Sequence, residues 1–206
     1  MPFDLFLSAF VSLFVVVDPF GTAAVFGALT QGLDHAVQRK IALKAVAIAV
    51  AILAAFSLVG ESLLYYMAIE LPAFRIAGGL LLFVTAFRMI MGFHDPDQLN
   101  SEKSAYKDRS HIAVFPLAIP LLAGPGCMTA IIMFSTATQN MMEYGLVMAA
   151  MLIVMAIALV CLFCAGFLGR LFGPAGYGII TRVMGILLAA MSVQFIGDGL
   201  RQIFLI

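Results

Sequence analysis

The sequence predicts an all-α membrane protein of six transmembrane helices, arranged as two inverted three-helix repeats, with helices 1 and 4 broken at the midplane. Three observations predict this fold. Of the 206 residues, 64% are hydrophobic and 11% are charged, whereas soluble domains are about 45–50% apolar and about 25% charged. Six segments contain the roughly 20 mostly apolar residues that a spanning helix needs. Two of these segments are interrupted by proline and glycine at matching places.

The six apolar segments predict one membrane domain that covers residues 1–206. A charged loop, about residues 93–110, separates a first repeat of about residues 1–92 from a second repeat of about residues 111–206. The predicted spans run from about Leu5 to Leu29, Ile41 to Tyr65, Pro72 to Gly92, Ile112 to Ala137, Gly145 to Leu168 and Ile179 to Phe204.

The basic residues predict the orientation of the chain, since Lys and Arg favour cytoplasmic loops. The face shared by the loops after spans one, three and five takes nine of the eleven basic residues, and the other face takes only Arg75 and Arg201. We therefore expect the charged central loop inside and both termini outside. The nine are Arg39, Lys40, Lys44, Arg88, Lys103, Lys107, Arg109, Arg170 and Arg182.

The repeat is visible when the chain is shifted along itself. At a shift of 107 positions, Arg75 falls on Arg182 and Thr85 on Ser192, and at a shift of 106 positions Pro19 falls on Pro125. Each half contains three spans, an odd number, so two such halves must have opposite orientations in the membrane. Inverted repeats with paired broken helices are typical of secondary transporters.

The paired breaks are the predicted site. The first is Asp18-Pro19-Phe20-Gly21 and the second is Gly124-Pro125-Gly126. Proline removes a backbone donor and glycine permits unusual backbone angles, so both disfavour a regular helix. Helix N-termini near Gly21 and Gly126 attract a carboxylate, and free carbonyls near Val17 and Ala123 would accept an ammonium or a cation. The alternative interpretation is a pair of ordinary proline kinks.

Asp18 is the most informative single residue, because a carboxylate at the middle of a span is costly. It would serve as a coupling-ion ligand, as a proton carrier or as an acceptor for a substrate ammonium. It would also suit an N-cap of the second half-helix. The hydroxyls of Thr22 and Thr129 follow the two breaks and either contact a polar substrate or bond back to their own helices.

Other classes of function lack a sequence signal. The net charge is zero and no basic stripe is present, so nucleic-acid binding is not expected. His35, His94 and His111 form no metal-ligand pattern, and no nucleophile–base pair or nucleotide-binding motif is found. Cys161 and Cys164 lie within the fifth span, where a packing role is expected. We therefore expect no enzymatic activity, no metal and no cofactor.

At the two breaks the sequence resembles the MarC family of bacterial and archaeal membrane proteins. The residues that carry the resemblance are Asp18 to Phe26, DPFGTAAVF, and Phe115 to Gly126, FPLAIPLLAGPG. The number of spans, the length and the charged central loop also fit. The first motif departs from the usual family pattern, which has proline where this chain has Ala24 and often asparagine where it has Thr22.

The resemblance implies a secondary transporter of the cytoplasmic (inner) membrane, because the family includes SnatA-like, ion-coupled transporters of small neutral amino acids such as glycine and alanine. The substrate-binding residues expected from the breaks are Asp18, Pro19, Phe20, Gly21, Thr22, Gly124, Pro125, Gly126 and Thr129, with Asp18 also at the coupling ion, Na⁺ or H⁺. The alternatives are an exporter of other small metabolites or drugs, and a non-transport membrane scaffold. The expected partners are an amino acid and the lipid bilayer, and the sequence leaves open whether the chain forms a homo-oligomer.

Overall fold

A computed structural model describes residues 2–30, 32–91 and 113–204, and this part of the chain is helical and contains no β-strand. The charged central loop lies outside the described residues. The helices are α1 (Pro2–Val17), α2 (Pro19–Leu29), α3 (His35–Tyr66), α4 (Leu71–Met91), α5 (Val114–Leu122), α6 (Pro125–Thr136), α7 (Met141–Phe163) and α8 (Ala165–Phe204).

Five stretches of the described chain are long and apolar enough to cross a membrane. They are Phe3–Gly27, His35–Tyr66, Leu71–Met91, Met141–Phe163 and Arg182–Phe204. The remaining predicted span, about residues 112–137, consists of α5 and α6. These two helices have 9 and 12 residues, so each alone is shorter than the roughly 20 residues of a full crossing.

The boundary between spans five and six differs from the sequence-based prediction. The fifth span ends at Phe163 and not near Leu168, and α8 begins at Ala165, well before the predicted start at Ile179. The apolar pattern continues through this junction, so hydropathy could not locate the turn at Cys164. The apolar part of α8, Arg182–Phe204, nevertheless agrees with the sixth predicted span.

Local chemistry explains two of the helix ends. The side chain of Asn140 accepts a hydrogen bond from the Glu143 N–H at 2.9 Å, and Glu143 in turn accepts from the Gln139 N–H at 2.8 Å. These reciprocal bonds stabilise the start of α7 in the manner of a capping box. Helix α5 is π-helical, and the Ala123 N–H bonds back five residues to the Ala118 carbonyl at 2.8 Å.

Helices α4 and α8 form the most extensive contact in the described chain. A Cβ atom built on Gly79 would stand 2.9 Å from the Ser192 carbonyl oxygen, and one built on Gly185 would stand 3.2 Å from the Ala86 carbonyl oxygen. Gly79 lies beside Ser192, whereas Ala86, further along α4, lies beside Gly185, which comes earlier in α8. The two helices are therefore antiparallel. Glycine lets their backbones approach closely, as is typical of helix contacts in membranes.

Six of the other contacts form three related pairs, in which α1 to α4 exchange places with α5 to α8. Helix α1 packs against α7 and α5 against α3; α2 packs against α7 and α6 against α3; α2 packs against α8 and α6 against α4. The short helices α2 and α6 therefore lie in the interior, each between two long helices. Their first turns, at the two breaks, are consequently buried within the bundle, where Gly21 and Gly126 are both buried.

Candidate functional site

The first break is a single residue in an unusual backbone conformation. Asp18 has φ 43° and ψ 72°, in the left-handed region, which Asp and Asn tolerate better than other non-glycine residues. Its Oδ1 atom accepts a hydrogen bond from the Gly21 N–H at 3.1 Å. Asp18 therefore ends α1 and caps α2, as one of the two sequence interpretations predicted.

The cap depends on the absence of a side chain at Gly21. A Cβ atom built there would stand 2.9 Å from the Asp18 Cγ atom and would collide with its Oδ2 atom. Thr22, the next residue, is 3% exposed and donates its hydroxyl proton to the Val17 carbonyl at 2.9 Å. The Thr22 hydroxyl thus bonds across the break to the end of α1, and one carbonyl freed by the break already has a donor.

The second break has a different chemistry, because no side chain caps it. Ala123 and Gly124 leave the helical conformation, with φ/ψ of −115°/57° and −75°/170°. Gly124 is the N-cap residue of α6 and makes no side-chain cap hydrogen bond. Pro125 occupies the first position, where its missing N–H costs nothing. The first N–H groups of a helix have no partners within that helix, so the α6 N-terminus is the more available anion site of the two.

Both breaks line one cavity of about 300 Å³. The first break contributes Asp18, Gly21 and Thr22, and the second contributes Gly124 and Gly126. The structure therefore brings together five of the nine sequence-predicted residues. Among the described residues, the lining consists of Val16, Val17, Asp18, Gly21, Thr22, Val25, Leu82, Val84, Thr85, Arg88, Met89, Leu121, Gly124, Gly126 and Cys127.

The other four predicted residues are not among the described lining residues. Pro19 and Pro125 are the first residues of α2 and α6. Phe20 stands edge-on to Phe14, with 6.3 Å between the ring centroids. Thr129 is 1% exposed and lies against α4, where a Cβ atom built on Gly78 would collide with it. A position near the break was therefore not sufficient to bring the Thr129 side chain into the cavity.

Sequence reasoning missed the contribution of α4. Leu82, Thr85, Arg88 and Met89 line the cavity from this helix, and Leu82 lies against Gly126. The detectable signal was the helical spacing of the two polar residues, since Thr85 and Arg88 are three positions apart and share a face. In the sequence, Thr85 is a repeat landmark and Arg88 a marker of orientation, and neither role predicts a place in the cavity wall.

The described lining of this cavity does not include Cys161, Cys164, Gln194 or Asp198. Among the described residues, no group of three His, Cys, Asp or Glu side chains could hold a metal ion. Cys161 and Cys164 are free thiols, the first buried and the second exposed. Gln194 donates to the Asp198 Oδ1 atom at 2.9 Å on an exposed part of α8, so these two side chains are partnered near the end of that helix.

Comparisons with known proteins find integral membrane proteins as relatives of this chain. The MarC family of integral membrane proteins matches residues 3–204 of the chain. A UPF0056 membrane protein of Methanocaldococcus jannaschii is 37% identical over 98% of both chains. The UPF0056 membrane protein YvbG of Bacillus subtilis is 32% identical over 99% of this chain and 98% of its own, and YhcE of Escherichia coli is 36% identical over 98% and 94%. No solved structure matches the chain.

Proposed function

Because this chain belongs to the MarC family of integral membrane proteins, we propose that it is a secondary, ion-coupled transporter of small neutral amino acids such as glycine and alanine in the cytoplasmic (inner) membrane. The observation that carries the proposal is the cavity of about 300 Å³ between two helix breaks, with the buried Asp18 in its wall. A buried acidic residue within a span is costly and is usually functional. The function requires no cofactor and no catalytic group.

The proposed architecture is six spans in two inverted repeats, in which α5 and α6 form the fourth span. If α1, α2, α3 and α4 correspond to α5, α6, α7 and α8, the two contacts in each related pair are equivalent to each other. The contacts of α1 with α7 and of α5 with α3 are one example. The corresponding helices α4 and α8 are antiparallel, which inversion requires. These two observations support the inverted repeat, and the outside location of both termini stays a prediction.

Corresponding residues on α4 and α8 differ in exposure, and this difference supports alternating access to one site. Thr85 and Arg88 on α4 are exposed and line the cavity. Their counterparts on α8 at a shift of 107 positions are Ser192 and Phe195, which are 0% and 8% exposed. We propose that the cavity is accessible from the α4 side in this state and that opening along α8 gives access from the other side of the membrane.

The geometry of the breaks favours one orientation of the substrate. The Gly21 N–H at the start of α2 already donates to the Asp18 carboxylate, so a second carboxylate there would be repelled. The uncapped α6 N-terminus near Gly126 is the favoured place for the substrate carboxylate. The substrate ammonium or the coupling Na⁺ or H⁺ would then be at Asp18. This proposal differs from the sequence interpretation, in which both helix N-termini attract the substrate carboxylate.

The size of the cavity favours small substrates over drugs. Its volume of about 300 Å³ lies at the lower end of the range of about 300–1,000 Å³ for ligand pockets. Glycine and alanine fill a small part of this volume and leave room for a coupling ion and water, since one water takes about 30 Å³ in the liquid. This observation ranks the amino-acid transporter above the drug exporter. A scaffold role would leave the cavity unexplained.

The test is uptake of labelled glycine and alanine by proteoliposomes that contain the purified protein, with Na⁺ and H⁺ gradients imposed separately. We expect accumulation that one of the two gradients drives and that an ionophore abolishes. Unlabelled small neutral amino acids should compete, whereas phenylalanine and lysine should compete poorly. Absence of flux and binding for every amino acid would contradict the proposal, and transport of bulky aromatic cations instead would favour the exporter.

A further inference from the structure

Arg88 lines the cavity from the last turn of α4. On the same helix Leu82 lies against Gly126 at the second break. Six residues separate Leu82 from Arg88, and at 1.5 Å per residue this places Arg88 about 9 Å along the helix from the level of the break. Side chains on a helix lean toward its N-terminus, so from Arg88 this lean is back along α4 toward the level of the breaks.

The charges of the cavity wall are complementary to an amino acid. Asp18 is its acidic residue and Arg88 its basic residue among the described lining. In the described part of the chain, Arg88 forms no ion pair or hydrogen bond, whereas Asp18 caps α2. A guanidinium is always charged and presents paired N–H donors that match the two oxygens of a carboxylate.

We propose that Arg88 is a specificity-determining residue that binds the substrate carboxylate within the cavity, together with the N–H groups at the start of α6. This inference rests on the proposed function and adds a residue to its site. Arg88 and Asp18 then recognise opposite ends of a zwitterion, so the cavity selects molecules that carry both a carboxylate and an ammonium. A simple amine would bind only Asp18, and a simple carboxylic acid would bind only Arg88.

The competing interpretation is an ordinary interfacial arginine at the end of a membrane helix. Arg201 provides a matched control for it, because it is the basic residue in the last turn of α8, is exposed and does not line the cavity. Both arginines would have the same interfacial role, but only Arg88 would contact substrate. The two interpretations therefore predict different effects of the same substitution at the two positions.

The experiment measures the KM of glycine uptake in proteoliposomes and the ability of glycinamide, which lacks the carboxylate, to inhibit that uptake. For Arg88→Gln we expect KM to rise about 10- to 100-fold, the range for loss of a hydrogen bond to a charged group. The preference of the protein for glycine over glycinamide should shrink by a similar factor. Arg88→Lys should lie between the wild type and Arg88→Gln because it keeps the charge but loses the paired donors.

Arg201→Gln should leave the KM of glycine uptake and the preference for glycine over glycinamide unchanged. The inference is overturned if Arg88→Gln keeps the wild-type KM and the wild-type preference for glycine, or if Arg201→Gln produces the same changes. In either case wild-type uptake would still support the proposed transporter. Absence of uptake by the wild type would instead contradict the proposed function and remove this inference with it. Melting in detergent checks that each variant is folded.

Discussion

Asp18→Asn should reduce the uptake of glycine and alanine by about 10- to 100-fold while the protein remains folded. The substitution removes the negative charge that would face the substrate ammonium or the coupling ion. It keeps an oxygen that can accept from the Gly21 N–H, and Asn is as good an N-cap as Asp and tolerates the left-handed conformation. Because a buried charge is costly, we expect the melting temperature in detergent to stay the same or to rise.

Asp18→Ala is the companion variant that separates charge from structure. It loses the cap, worth about 0.5–2 kcal/mol, and places alanine at φ 43°, which costs roughly a further 1–2 kcal/mol. We therefore expect it to melt below both the wild type and Asp18→Asn. Normal coupled uptake by Asp18→Asn would remove the Asp18 charge from the mechanism, and a large drop in its melting temperature would mean that the charge is mainly structural.

Gly21→Ala should impair both the first break and transport. The new Cβ atom would collide with the Asp18 carboxylate, so the carboxylate must rotate away from the Gly21 N–H and lose the cap hydrogen bond. We expect the lost cap to lower the free energy of unfolding by about 0.5–2 kcal/mol, partly offset by the helix propensity of alanine. Uptake should fall at least about tenfold, since the displaced carboxylate no longer faces the cavity. Uptake and detergent melting measure the two effects.

Gly27→Ala is the matched control on the same helix. A Cβ atom at Gly27 would stand 3.8 Å from the Ala165 Cβ atom, an ordinary contact. Both substitutions replace glycine within α2 and gain the same helix propensity, up to about 1 kcal/mol. Gly27→Ala should therefore retain uptake and melt at the same or a higher temperature. Equal behaviour of the two variants would show that the space at Gly21 has no special role.

The sequence predicts the two breaks well because their causes are local. Proline, glycine and a mid-span aspartate disfavour a continuous apolar helix wherever they occur, and the helices do end at Val17 and Leu122 and begin again at Pro19 and Pro125. The same local chemistry also identified Asp18 as an N-cap. The number of apolar segments follows directly from composition, because length and hydropathy are enough to recognise a span.

The sequence does not predict how the helices are rotated against each other. Hydropathy identifies α4 as a span, but the face that lines the cavity depends on contacts such as those of Leu82 with Gly126 and Gly78 with Thr129. For this reason Arg88 was missed. Thr129, for which the sequence left open a substrate contact or a bond to its own helix, lies against Gly78 and is not among the described lining residues. The position of the boundary between α7 and α8 was predicted wrongly because apolar residues continue on both sides of Cys164.

The central claim is that an amino acid binds in the cavity between the two breaks, and substrate protection of a thiol in its wall tests this most directly. The reporter is Thr85→Cys, at an exposed lining position, in a chain with Cys127, Cys161 and Cys164 replaced by alanine. Met91→Cys in the same background is the control, because Met91 is 54% exposed on the same helix and does not line the cavity.

Both variants must first retain glycine uptake. The account then predicts that glycine and alanine slow alkylation of the thiol introduced at Thr85 and leave alkylation of the thiol introduced at Met91 unchanged. The concentration for half-protection should match the KM for uptake. Equal alkylation rates at Thr85 with and without a saturating transported amino acid would contradict the claim that this cavity is the binding site.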